Sequence, residues 1–109
     1  MEWNNKFEHE LDLATAARAR GNEGQARVCA RRAAGVLVRA YFERLGHPVT
    51  SSSAIDLLND LLVIEAIPAR ARSAAEALTM RVTEEFKLPE GLDLLAEIRA
   101  LAESLLPEG

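Results

Sequence analysis

Seven arginines, Arg18, Arg20, Arg27, Arg31, Arg32, Arg39 and Arg44, crowd one stretch of the chain, with only Glu23 and Glu43 among them. A guanidinium presents a rigid fork of donors that matches phosphate and carboxylate, so this density makes anion recognition the first candidate chemistry. On a helix, Arg27 and Arg31 lie one turn apart at the edge of the apolar face, where they could clamp a phosphate between them. The same spacing serves salt bridges to a neighbouring helix. Arg32 and Arg39 fall opposite the apolar residues and are expected to be solvated. Arg27, Arg31, Arg39, Arg44 and the nearby His47 form the candidate contact set for a ligand or partner.

Other chemistries find fewer carriers. A transition-metal site needs several convergent His, Cys or carboxylate ligands, and the chain holds one Cys and two His, His9 and His47, far apart in sequence. No metal site and no cofactor are expected. Cys29 falls among the apolar residues of its segment, which predicts a small buried hydrophobe in place of a reactive thiol. The glycines occur singly, so neither a phosphate-binding glycine loop nor a dinucleotide fingerprint is present. Gly35 stands in the middle of a helical pattern, where glycine costs about 1 kcal/mol against alanine. Its presence there predicts close approach of another backbone, from within the chain or across a dimer.

The chain has 109 residues, 49% hydrophobic and 28% charged, enough for one core, so a single domain spanning 1–109 is expected. Ala and Leu dominate, aromatics are few and no strict alternation occurs, which predicts an all-α domain. Residues 18–44 carry +5, leaving −9 over the rest of a chain whose net charge is −4. That asymmetry suits a basic helix lying against acidic neighbours, or a bound anion. No apolar run reaches the roughly 20 residues a bilayer requires. With a lone cysteine and no cationic leader, a cytoplasmic protein away from membranes is expected.

The elements that must position these residues can be read from spacing. Trp3, Phe7, Leu11, Ala14 and Ala17 draw one stripe down a first helix ending near Gly21. Asn22 with Gln25 can cap the next, so a turn of two or three residues forces an antiparallel hairpin. The second helix runs to Leu45, with Gly46 suited to a left-handed cap and Pro48 blocking continuation. Its apolar members, from Val36 and Cys29 round to Val38 and Phe42, sweep roughly 240° of its circumference, which predicts the central helix of a bundle. After HPVTSSS, Ser53 and Asp56 open a third helix carrying Ile55, Leu58, Leu61 and Leu62. Pro68 fits the first turn of a fourth, lined by Ala71, Ala75, Leu78, Val82 and Phe86, with Arg70, Arg81 and Glu84 turned away. KLPEGL breaks it, and a fifth, from about 91 to 106, presents Leu95, Ile98, Leu101, Ala102 and Leu105.

This order resembles the HEPN domain family over roughly residues 10–105: a first amphipathic helix, a glycine turn, the alanine-rich helix ARVCARRAAGVLVRAYF, then SSSAIDLLNDLL opening a Leu-rich helix. The resemblance implies an antiparallel, up-down bundle of four or five helices that forms a homodimer. Among its implied partners are a small nucleotidyltransferase-like protein, as in toxin–antitoxin pairs, and nucleotide or RNA phosphate. Trp3, Phe7, Gly35, Val38 and Phe42 are the residues expected at the dimer contact. Ribonuclease members carry Arg, four to six residues, then His; here two residues separate Arg44 from His47 and seven separate Arg39 from it, and no His follows. Without that imidazole, proton shuttling loses its usual agent. The resulting expectation is a non-enzymatic binding module. The alternatives are a degenerate ribonuclease using Arg44 and His47, and a purely structural helical subunit.

Overall fold

The turn at Gly21 and Asn22 sets the first supersecondary unit. In the computed structural model, which describes residues 2–49, 51, 53–79 and 93–106, α1 (Glu2–Ala19) and α2 (Glu23–Leu45) form the hairpin that the sequence predicts. Gly21 adopts φ 78°, and the Asn22 side chain accepts the Gln25 amide, satisfying one of the amides a helix start leaves open. At the far end Gly46 takes φ 71° while the Gly46 and His47 amides donate to the Glu43 and Phe42 carbonyls, closing α2.

Three further helices follow: α3 (Ala54–Val63), α4 (Ala69–Thr79) and α5 (Leu94–Leu105). Among the described residues there is no strand, and no helix is long and apolar enough to cross a membrane. Ser53 caps α3 by accepting the Asp56 amide, as its position predicts. The Pro68 carbonyl accepts the Arg72 amide and so opens α4. Asp93 caps α5 through the Leu95 and Ala96 amides, placing its start at Leu94. Val82, Phe86, Arg81, Glu84 and the KLPEGL break all lie outside the described residues.

Helix α2 packs against α1, α3 and α5, each later helix packs on its predecessor, and α5 returns to α1. Most of the wide apolar arc of α2 is therefore covered within the chain: Ala26, Cys29, Ala30, Ala33, Ala34, Leu37, Val38 and Phe42 are buried, while Val36, Ala40 and Tyr41 are half-buried. Two details of the sequence reading change. In α3 the buried residues are Leu57, Leu58 and Leu61, which join the core between α2 and α4, while Ile55 is exposed. In α5 Leu94 is buried and Leu95 only half-buried, since the Asp93 cap turns Leu94 inward with Ile98 and Leu101.

Gly35 has the close neighbour its position predicts. A Cβ built there would stand 3.1 Å from the Ala54 Cβ and 3.3 Å from its Cα, so α3 enters directly over Gly35. The close approach is made within the chain. Phe7, Val38 and Phe42 likewise belong to this chain's own core and offer no surface to a second copy, correcting their assignment to a dimer contact. Of that set, Trp3 and Gly35 border open space.

Candidate binding groove

The arginines of α2 divide by what their guanidiniums touch. Arg31 is half-buried and its Nε donates to the Leu78 carbonyl of α4, 3.0 Å away. Burial and the neighbouring charge of Arg27 push its pKa below the usual arginine value. The Arg27–Arg31 pair expected to clamp an anion thus has one member anchored on a backbone carbonyl of α4. Arg39 departs from its expected solvation: the segment after Gly46 folds back, and its guanidinium donates to the Ser51 carbonyl at 3.2 Å. Arg32 is exposed but paired, its Nε 2.9 Å from the Glu10 carboxylate and its other arm 3.3 Å from the Cys29 sulfur. The hydrogen bond and charge of Glu10 raise its pKa.

Several of these groups meet at one place. A groove of about 920 Å³ runs along α2 between α1 and the start of α3. From α1 it takes Trp3, Lys6 and Glu10, three residues on one face over two turns. From α2 come a small-residue floor, Gly35, Val36 and Ala40, and a charged rim, Arg32, Arg39, Glu43 and Arg44. Ala54 and Leu57 close the third side. The lining carries four cations against two carboxylates, in a chain that is acidic overall. The Trp3 ring packs edge-on against Phe7, 5.8 Å between centroids, and its buried Nε1 has no hydrogen-bond acceptor among the described residues. Trp3 also borders a smaller hollow of about 130 Å³ that includes Arg99 and Leu106.

Of the candidate contact set, Arg39 and Arg44 line this groove, whereas Arg27, Arg31 and His47 do not. His47 is exposed, and its ring lies over Phe42 with centroids 4.6 Å apart, which seals the end of α2. Cys29 is buried, as its position predicts. Among the described residues no three His, Cys, Asp or Glu side chains converge as metal ligands would.

Sequence reasoning missed Lys6 and Glu10. Both sit at i+3/i+4 steps from Trp3, but nothing in one helix's pattern says that its flank faces a flank of another. It also missed Arg72, whose guanidinium donates to the Leu62 and Ile64 carbonyls, both at 2.8 Å, and so closes the end of α3. No family model, no curated protein and no solved structure matches this chain.

Proposed function

We propose that the chain is a non-catalytic, HEPN-like helical binding module that engages an anionic group of its partner through the α1–α2–α3 groove. The observation that carries this reading is the groove itself, an apolar, small-residue floor with Lys6, Arg39 and Arg44 along its rim. A low-dielectric floor beside fixed cations strengthens attraction for an anion while offering surface to an apolar body. The bond from Arg39 to the Ser51 carbonyl orients the guanidinium without neutralising it. Ion pairs elsewhere support the frame: Arg18 with Asp93 at 3.0 Å, Arg70 with Glu97 at 2.8 Å and Arg99 with Glu8 at 3.7 Å each join different helices or a helix to a cap.

Native mass spectrometry tests the reading, with the chain sprayed alone and after mixing with a nucleoside triphosphate, a short RNA and an acidic peptide. The expected result is a retained anionic adduct that Arg39→Glu with Arg44→Glu removes and Arg27→Glu leaves in place. Retention of none of the three probes sinks the groove as an anion site. Cleavage of the RNA that depends on His47 would replace the binding module with the ribonuclease reading. A bare dimer that survives the rim substitutions would favour a structural subunit.

A further inference from the structure

The groove along α2 holds charge of both signs, and part of that charge is not neutralised within the chain. Arg32 and Glu10 form an ion pair at 2.9 Å, and Arg44 is already engaged. Lys6, Arg39 and Glu43 differ. Among the described residues the exposed Lys6 ammonium and Glu43 carboxylate have neither an ion pair nor a side-chain hydrogen bond, and the Arg39 guanidinium meets only the Ser51 carbonyl. Glu43 stands one turn after Arg39, the order in which an i, i+4 pair of opposite charges is the weaker one. The Ser51 carbonyl draws the guanidinium toward the start of α3 instead. Beside these three charges lie Val36 and Ala40, both half-buried, with the half-buried Trp3 ring as a wall.

Unpaired charges of opposite sign select against a ligand of one sign. An anion laid on Lys6 and Arg39 takes water from Glu43 without giving it a partner, and a cation laid on Glu43 does the same to Lys6 and Arg39. Either loss is costly, because a charge removed from water needs a counter-charge. We infer that the groove binds a zwitterion: an anionic group on Lys6 and Arg39, a cationic group on Glu43, and an apolar body between them on Val36, Ala40 and the Trp3 ring. The rise from Arg39 to Glu43 is about 6 Å, and Lys6 reaches in from α1 on a flexible stem, which sets the two ligand charges about 6–10 Å apart. An α-amino acid, whose charges share one carbon, is too short for this. A chain that advances about 3.3–3.6 Å per residue covers the span as a di- or tripeptide with free ends. The groove volume of about 920 Å³ suits a ligand of that size. The inference rests on the binding-module reading and names the class of ligand, a short apolar peptide with both termini charged.

The test is a titration with charge-blocked peptides. Alanyl-leucyl-alanine, its N-acetyl form and its C-terminal amide are titrated into the purified chain by calorimetry, with the emission of Trp3, the only tryptophan, as a second readout. The free peptide is expected to bind saturably, and blocking either end to weaken it by roughly fivefold or more. Glu43→Gln should weaken the free peptide by a similar factor and leave the acetylated peptide as it was. Lys6→Gln should weaken the free peptide and leave the amide as it was. Arg20→Gln, exposed and outside the groove, should change neither. Thermal melts of the variants confirm that they fold. Equal binding of free and blocked peptides, a Glu43→Gln loss that the acetyl group does not cancel, or no binding of the free peptide would each overturn the inference. If a nucleoside triphosphate or RNA is still retained at the rim in that event, the zwitterion is refuted and the anion-binding groove stands. If no anion is retained either, both readings fall.

Discussion

Arg31 and Arg72 both donate to backbone carbonyls, Arg31 to Leu78 of α4 and Arg72 to Leu62 and Ile64 at the end of α3. The carbonyls that Arg72 holds are those a helix end leaves without intrahelical partners. A charged donor on a partly buried carbonyl is worth roughly 1.5–3 kcal/mol, less where solvent screens it. Arg31→Met should therefore cost about 1–2 kcal/mol and Arg72→Met, with two bonds, about 2–3 kcal/mol, read as shifts in urea midpoint. Arg27→Ala should change stability by less than about 0.5 kcal/mol, because it removes a charge that opposes Arg31. Equal losses at positions 27 and 31 would show that the Leu78 hydrogen bond is not what makes Arg31 matter. At Gly35 two terms compete. Alanine gains about 1 kcal/mol of helix propensity, but its Cβ presses on the backbone of Ala54. Gly35→Ala should come out destabilising by less than about 1 kcal/mol, and Gly35→Val by more than about 2 kcal/mol as α3 is forced off α2. A double-mutant cycle of Gly35→Ala with Ala54→Gly should show a coupling of about 0.5 kcal/mol or more.

The capped ends of the helices were legible in the sequence, and for a clear reason. Asn22, Gly46 and Ser53 act on amides or carbonyls within four residues of themselves, so local spacing carries the whole signal. The face each helix buries was legible less evenly. The stripe on α1 and the wide arc on α2 follow from periodicity, whereas α3 has too many apolar residues for periodicity to choose among Ile55, Leu57 and Leu58, and packing between α2 and α4 chooses instead. Asp93 belongs to this scale too, as both the cap of α5 and the partner of Arg18. Partial burial raises its carboxyl pKa, but the Arg18 hydrogen bond, the Ala96 and Leu95 amides and the Arg18 charge together hold it below its ordinary value of 3.8. A depressed acid contributes stability that is present above the ordinary value and is lost as pH falls through the lower folded value. Asp93→Asn keeps a capping oxygen and removes the charge. It should flatten the fall in stability between about pH 5 and pH 2, measured by thermal melts across that range. An unchanged acid limb would show that Asp93 does not titrate as part of the fold.

At the scale of the molecule, the groove was the part the sequence could not display. Arg39 and Arg44 were recognisable as cations on α2, but Lys6 and Glu10 join them through the α1–α2 hairpin, and Ala54 joins through the fold-back over Gly35. These are relations between elements, and no single helix's pattern encodes them. The same enclosure governs Cys29, which is 1% exposed and lies under the Gln25 and Arg32 side chains. A bulky thiol reagent should modify it only through opening of the bundle, so the labelling rate should rise with urea in step with the unfolded fraction. Fast labelling in native buffer would place the sulfur nearer to solvent than the structure has it. The imidazole of His47 lying over the Phe42 ring has a magnetic consequence. Ring currents of the phenyl group should displace the His47 carbon-bound proton resonances from their free-peptide positions, while those of exposed His9, the other of the two histidines, stay close to them. One proton spectrum in heavy water then reports whether the C-terminal end of α2 is closed.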